Sequence, residues 1–404
     1  MNKIIFINNK IKNFKKKIKV EGDKSLSIRW ALLASQAVGK SRAFNLLESE
    51  DVISTINSLK KLGIKIEKKK NYWEIFGKGL NNYRFKKNII LDAGNSGTLA
   101  RLILGACINS PYKIKIIGDK SLTKRDFSRI IEPLKKFGAN FYPKNKKTLP
   151  LYFRGTGIVK PIKYVEKKGS AQIKSSICLA ALNCSGETLI KAKKSRDHTE
   201  ILFKNLNIPI KIKKTKQFDF IKIKGGKKFN ALSNYNIPGD ISSCSFLLCL
   251  TLLSEKSELT IKNVNINPTR TGIISILNKM GANIELKNKN IYRGEKIADI
   301  FVKSKKNLKS INLPVSFNNS SAIDEFLLIF ICCAFSKGIS SFKGLEELNK
   351  KESKRLDWGF KILRMIGIKT KKIGNHGIKI WGQPNLKLNK NYILKDYLRD
   401  HRVA

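Results

Sequence analysis

The sequence predicts an α/β protein assembled from a repeated β-α-β-α-β-β unit. Three observations carry that prediction. Five segments share one order of residue types, five intervening segments share a second, and the two alternate with a mean period of about 75 residues. Leu/Ile-rich runs at helical spacing precede β-branched runs throughout, which reads as helix followed by strand.

The first type opens at Gly22 (GDKSLSIRWALLASQAVGKSRAFNL), Gly94 (GNSGTLARLILGACINSPYKIKIIGD) and Gly169 (GSAQIKSSICLAALNCSGETLIKA). It recurs at Pro238 (PGDISSCSFLLCLTLLSEKSELTIKNV) and Ser320 (SSAIDEFLLIFICCAFSKGISSFKG). In each, a turn of small and polar residues leads an apolar helix, then Gly or Ser, then a strand. The second type is a helix that ends in a short turn before another strand: SLKKLGIKIE, PLKKFGANFY, LFKNLNIPIKI, ILNKMGANIEL and ILRMIGIKTKK. Any α/β protein contains helix–Gly–strand runs, but not five with matching turn chemistry at near-constant spacing. Counting on from the fifth unit places a sixth near residue 400, where the chain reads RDHRVA.

Composition fits this reading. At 404 residues the chain is long enough for two domains with their own cores, and 42% hydrophobic residues make it globular. The net charge of +51 first suggests a polyanionic partner, as in a basic nucleic-acid-binding protein. However, the basic residues are mostly Lys scattered among Ile and Asn, as at Lys15–Lys19, 68–71 and 144–147, a bias resembling translation of AT-rich DNA. No helix-turn-helix, RNP string or zinc spacing accompanies them, so the expectation is no nucleic-acid partner. The charge still steers small anions toward the protein. The seven Cys (107, 178, 184, 244, 249, 332, 333) lie in or beside apolar helical runs without a CxxC pair or Cys/His cluster. They read as buried, reduced thiols of a cytoplasmic protein, and the three His make no metal site. No apolar run is long enough for a membrane span, and the N-terminus lacks a signal-peptide core.

Each unit presents a helix N-terminus rich in small residues. Unpaired N–H groups and the helix dipole make such an end a natural anion site, so several would suit a substrate bearing phosphates and carboxylates. The strings at these ends are specific. GDKSLSIR, GNSGTLAR, SLTKRDFSRIIEPL, SAQIKS, SRDHTE, PGDISS, NPTRTG, IDEF, KKESKR and DHRVA occur in this order between Val20 and Ala404. Together they resemble the 3-phosphoshikimate 1-carboxyvinyltransferase (EPSP synthase) family. The resemblance implies a two-domain inverse α/β barrel of six repeated units, with the active site in the cleft. The first domain would be 22–237 and the second 1–21 plus 238–404, the chain crossing near Glu21 and Pro238. The implied reaction joins phosphoenolpyruvate to the 5-hydroxyl of 3-phosphoshikimate, with no metal or organic cofactor, in a monomer. The sibling family, which uses UDP-N-acetylglucosamine on the same fold, is less similar. Its opening motif carries Lys-Asn where this chain has Lys24-Ser25, and it places a reactive Cys on a mobile loop.

Residue by residue, the resemblance implies that Lys24 touches both substrates while Ser25 and Arg29 hold 3-phosphoshikimate. A planar guanidinium such as that of Arg29 suits the ring carboxylate. Ser170, Gln172 and Arg196 surround the 3-phosphate, although Ser170 also reads as a plain N-cap. Asn95 and Gly97 face phosphoenolpyruvate, Gln172 reaches it too, and Gly97 leaves room for the herbicide glyphosate. Arg125, Arg355 and Arg402 clamp the phosphoenolpyruvate anion. Asp324 and Glu352 are the proton handlers. The reaction takes a proton from the hydroxyl and gives one to the methylene, so two carboxyls in different environments are expected. Asp324 would accept the hydroxyl proton, Glu352 with Lys24 would serve the methylene, and Lys351 would stabilise charge near the hydroxyl. His198 reads as structural.

Departures from the family pattern are Asp126 for Pro, Lys354 for Asp and Glu21 for Pro. They alter turn rigidity and add charge beside the clamp, and they remove no implied catalytic side chain. Beyond DHRVA the family continues with an apolar helix, further strands and another phosphoenolpyruvate-binding Lys. The expectation is therefore that the sixth unit is largely missing, as in a fragment or frameshifted product.

Overall fold

The turns that close the second helix of each unit set the repeat. The computed structural model describes residues 11, 13–314, 317–388, 400, 402 and 403. The expected sixth helix start at Ala404 lies outside them. Unit one comprises β1 (Lys15–Lys19), α1 (Lys24–Gln36), β2 (Val38–Phe44), α2 (Glu50–Lys61), β3 (Lys65–Lys68) and β4 (Tyr72–Lys78). Unit two comprises β5 (Ile89–Asp92), α3 (Gly97–Ala106), β6 (Ile114–Ile117), α4 (Ser128–Lys136), β7 (Asn140–Tyr142) and β8 (Leu151–Arg154). Unit three comprises β9 (Lys163–Glu166), α5 (Ala171–Leu182), β10 (Glu187–Lys193), α6 (His198–Asn205), β11 (Ile210–Lys214) and β12 (Phe218–Lys224). Unit four comprises β13 (Tyr235–Asn236), α7 (Ile241–Leu253), β14 (Glu258–Asn265), α8 (Gly272–Lys279), β15 (Asn283–Tyr292) and β16 (Glu295–Lys303). Unit five comprises α9 (Phe326–Ala334), β17 (Gly338–Phe342), α10 (Arg355–Met365), β18 (Thr370–Lys372) and β19 (Ile378–Gly382).

All five second helices stop the same way. Gly63, Gly138, Asn207, Gly281 and Gly367 follow α2, α4, α6, α8 and α10, each with φ between 54° and 108°. The residue after each donates its N–H to a carbonyl five positions back, as Ile64 does to Leu59 (3.1 Å) and Ile368 to Leu363 (2.9 Å). This left-handed cap satisfies the last carbonyls and turns the chain into the next strand. Asn207 fills the position because Asn tolerates the left-handed region better than other residues with a side chain.

The α/β class follows in five sheets, four of them mixed and the last, β17-β19-β18, antiparallel. Units two and three give the orders β5-β6-β8-β7 and β9-β10-β12-β11, with a parallel first pair and antiparallel partners beyond it. Two differences from a simple repeat appear. β1 joins β14-β16-β15, while β13 joins β2-β4-β3. The chain therefore exchanges first strands between unit one and unit four. In unit five the first strand shrinks to isolated bridges, Lys309 with Lys337 and Asn312 with Ser341. Pro314, lacking an N–H, follows this segment and cannot extend the pairing.

Hydrophobic side chains form two clusters, one from Leu26 to Ile237 and one from Ile241 to Val403. Helices α1 and α5 are buried from Leu26 and Ile173 to their ends, so they form interiors rather than amphipathic surfaces. The sheets lie outside. Strand β10 alternates buried Thr188, Ile190 and Ala192 with exposed Lys191 and Lys193. This alternation absorbs much of the Ile/Lys bias: Ile points inward and Lys outward. No helix among the described residues is long and apolar enough to cross a membrane.

Candidate active site

Helix starts build the site. Asp23, Ser96, Ser170 and Asp240 cap α1, α3, α5 and α7, accepting N–H groups of Leu26, Leu99, Ile173 and Ser242. The residues just inside these caps carry the polar side chains that the sequence singled out. Lys24 donates its backbone N–H to Asp240 (3.0 Å), and its ammonium pairs with Asp51 (2.8 Å).

One cationic locus is built on α1 and the turn before α6. Arg29 is buried and donates to Thr199 Oγ1 (2.9 Å), Ser175 Oγ (3.0 Å) and the Ser25 carbonyl (3.0 Å). Burial, then the neighbouring positive charge of Arg196, push its pKa down to about 10. A buried guanidinium destabilised by a second positive charge marks a site that an anion would stabilise.

The second locus surrounds Gly97. Arg125 donates to Asn95 Oδ1 (2.7 Å), and Asn95 donates to Asp119 (2.7 Å). Gln172 accepts from Arg101 (2.8 Å) and donates to Thr98 (3.0 Å). Arg101 also reaches the Gly97 carbonyl (3.2 Å) and stacks over Phe127. Burial, then Arg125, lower Arg101 to about 10. The buried Arg125 Nε has no acceptor among the described residues. A Cβ on Gly97 would stand 2.7 Å from Arg101 Nη1 and 2.8 Å from Arg125 Nη1, so any larger residue would push both guanidinium groups aside.

The carboxylates come from the other hydrophobic cluster. Arg355 donates to Asp324 (2.9 Å), Glu352 (2.6 Å) and Asp400 (3.0 Å), with the guanidinium nearly inaccessible to solvent. Asp324 also pairs with Arg196 (2.5 Å) and Lys351 (3.6 Å), and Glu352 pairs with Arg125 (3.4 Å). These contacts join both cationic loci to the carboxylates. Burial would raise both carboxyls, but the cations outweigh it. Lys351, Arg196 and Arg355 hold Asp324 well below the usual range, and Arg355 and Arg125 hold Glu352 at about 2. Both carboxylates share Arg355, while Asp324 adds Arg196 and Lys351 and Glu352 adds Arg125, so their surroundings overlap without being the same. Two neighbouring groups are displaced toward their neutral forms. Burial lowers the pKa of Lys351, and burial with the adjacent Asp324 raises that of Glu325.

The structure thus brings together Lys351, Asp324, Glu352, Arg355, Arg125, Arg196, Asn95, Gly97 and Gln172. Arg402 forms no ion pair with the described residues, its guanidinium lying 6.0 Å over the Phe246 ring, though its charge still lowers Asp324. Ser170 serves as the α5 cap at 3.4 Å. His198 is wholly buried against Glu295 (2.7 Å). Asp126, the residue standing where Pro was expected, accepts from Ser128 N (2.8 Å) and so shapes the entry to α4 by hydrogen bonding. Lys354 is exposed. Sequence reasoning missed Arg101, Asp51 and Asp400. A charge inside an otherwise apolar segment was the available signal for Arg101; the other two sit in polar strings that look solvated.

A sequence profile described as EPSP synthase (3-phosphoshikimate 1-carboxyvinyltransferase) matches residues 8–404. The chain is similar to a curated 3-phosphoshikimate 1-carboxyvinyltransferase of Ruthia magnifica subsp. Calyptogena magnifica. Identity is 39% over 388 residues, covering 96% of this chain and 86% of the relative. Its fold is similar to that of an EPSP synthase structure from Acinetobacter baumannii. The TM-score is 0.81 and the identity 34%, over 97% of this chain and 88% of the other. It also shares its fold with the enolpyruvyl transferase NikO from Streptomyces tendae, with a TM-score of 0.69 at 12% identity over 92% of this chain and 83% of that one.

Proposed function

The chain belongs to the EPSP synthase family, and from that premise we propose how its residues divide the work. The reaction transfers the enolpyruvyl group of phosphoenolpyruvate to the 5-hydroxyl of 3-phosphoshikimate and releases phosphate, a step of the shikimate pathway toward aromatic amino acids. Arg29, Ser25, Ser170 and Arg196 hold 3-phosphoshikimate. Arg125, Arg355, Arg402, Asn95, Gly97 and Gln172 receive phosphoenolpyruvate, with Lys24 between the two substrates. The hydroxyl proton passes to Asp324 and its oxygen attacks the enolpyruvyl carbon. Glu352 with Lys24 delivers a proton to the methylene, Lys351 offsets charge at the attacking oxygen, and the addition intermediate then expels phosphate as its new methyl group gives up a proton, which restores the enolpyruvyl double bond.

One observation supports this assignment above the others. Arg355 links Asp324 and Glu352, and each carboxylate also pairs with an arginine from the other hydrophobic cluster. Anionic substrates would compete for those arginines. As they draw the cations away, the proton affinity of Asp324 and Glu352 rises toward the working range, so substrate binding itself activates the two groups. Two further readings follow: domains of 22–237 and 1–21 plus 238–404, supported by the strand exchange and the two cores, and a monomer working in the cytoplasm without nucleic acid. The UDP-sugar alternative is disfavoured because all seven Cys are buried. The test is single-turnover quench of the Asp324→Ala and Glu352→Gln proteins with both substrates. The assignment expects phosphate release to slow at least about 100-fold in each, and near-normal turnover in either would reject it.

A further inference from the structure

Within NPTRTG, the sequence string given no role above, Arg270 occupies a distinctive place. Its side chain is almost fully buried. It donates to Asp23 (2.6 Å), Asp240 (2.9 Å) and Ser242 Oγ (2.8 Å). Asp23 and Asp240 are the caps of α1 and α7, and they stand where the chain passes between the two cores. There Asp23 donates its N–H to the Pro238 carbonyl (2.8 Å) and Asp240 donates to that of Glu21 (3.0 Å). Ser242 in turn donates to Glu325, the residue preceding α9 and adjoining Asp324. Asp240 also accepts the backbone N–H of Lys24. A single guanidinium therefore joins the starts of three helices, one carrying Lys24 and Arg29 and another following Asp324.

We propose that Arg270 is a positioning residue for enolpyruvyl transfer, clasping both chain crossings so that Lys24 and Asp324 are held in register across the cleft. The inference rests on the roles given above to those two residues. Its physical basis is that two buried carboxylates at one point repel each other unless a cation lies between them, and a planar guanidinium bonds both and a hydroxyl from separate nitrogens in fixed directions. A lysine would supply the charge at one point and leave the crossing free to shift. Displacement of reacting groups by about 1 Å can lower turnover ~100-fold.

The test compares the wild-type chain with Arg270→Lys, Asp240→Asn and the double variant. Folded fraction is measured by circular dichroism, 3-phosphoshikimate binding by calorimetry, and kcat per folded molecule by phosphate release. Wild-type activity is measured first; its absence would count against the functional reading and not against the clasp. The expectation is that Arg270→Lys folds and binds 3-phosphoshikimate within about fivefold of wild type while kcat falls at least about tenfold. Because both residues act through one clasp, the double variant should lose no more than the worse single one. A kcat per folded molecule within twofold of wild type, or losses that multiply in the double variant, would overturn the proposal. If Arg270→Lys does not fold, Asp240→Asn, which retains a capping side chain, carries the test: a threefold or greater fall in kcat supports the clasp and unchanged kcat overturns it.

Discussion

Replacing Gly97 by alanine should separate stability from substrate recognition, with the two moving in opposite directions. The added Cβ would lie 2.7 Å from Arg101 Nη1 and 2.8 Å from Arg125 Nη1, whereas ordinary contact begins near 3.4 Å. Both guanidinium groups must recede by roughly 0.6–0.7 Å, which side-chain rotation can supply without moving backbone. The displacement stretches the 2.7 Å bond from Arg125 to Asn95 beyond good hydrogen-bond geometry. A hydrogen bond from a charged group is worth about 1.5–3 kcal/mol, so KM for phosphoenolpyruvate should rise at least ~10-fold. Gly97 begins α3 with ordinary helical backbone, and alanine is the better helix former by up to about 1 kcal/mol. Calorimetry should therefore find Tm unchanged or raised by no more than about 2 °C. The assay is phosphate release with phosphoenolpyruvate varied at saturating 3-phosphoshikimate. A KM within twofold of wild type, or a Tm several degrees lower, would refute the reading that the bare Gly97 backbone lets Arg125 keep its place at the phosphoenolpyruvate site.

Glyphosate should compete with phosphoenolpyruvate in the wild-type chain, and Gly97→Ala should blunt that inhibition; inhibition curves of the two proteins decide it. Arg355→Met removes the cation that Asp324 and Glu352 share and leaves the fully buried Asp400 without an ion-pair partner among the described residues, so thermal unfolding should show a loss of about 3–5 kcal/mol alongside loss of turnover. The depressed carboxyls give a definite pH dependence. The stability that Glu352 contributes is fully present above the ordinary value of 4.5 and lost as pH falls through about 2, and Asp324 acts with the same sign. Urea unfolding should give flat stability between pH 5 and 7 from these groups and a decline below about 4.5. Ser170→Ala should cost less than about 1 kcal/mol, since its capping bond is long at 3.4 Å. The same change should raise KM for 3-phosphoshikimate ~10-fold through loss of a phosphate contact.

The repeat was legible because local chemistry writes it. The turn residues at Gly63, Gly138, Gly281 and Gly367 are needed by backbone geometry, and geometry of that kind leaves the same letter in four units and Asn207 in the other. The seven Cys also read correctly, since an apolar neighbourhood in sequence is a fair guide to burial in a helix. What periodicity could not reveal is exchange. Lys15–Lys19 and Tyr235–Asn236 are short strands whose partners lie more than 190 residues away, and nothing local says which sheet takes which strand. Burial of charge was equally illegible. Lys174 reads as a solvated helix residue, yet it is wholly buried against Glu200 at 2.6 Å. Arg270 sits in a polar loop that suggests exposure, and only the convergence of Asp23 and Asp240 from distant segments makes it interior. Nor could the sequence show that Asp324 and Glu352, expected as two proton handlers in different environments, share the cation Arg355.

The most direct measurement is product formation by the full chain from phosphoenolpyruvate with each of two acceptors, followed by phosphate release and mass spectrometry. With 3-phosphoshikimate the account predicts one phosphate released for each molecule of 5-enolpyruvylshikimate 3-phosphate formed, and no transfer to UDP-N-acetylglucosamine. Enolpyruvyl transfer to the UDP sugar, with none to 3-phosphoshikimate, would contradict it.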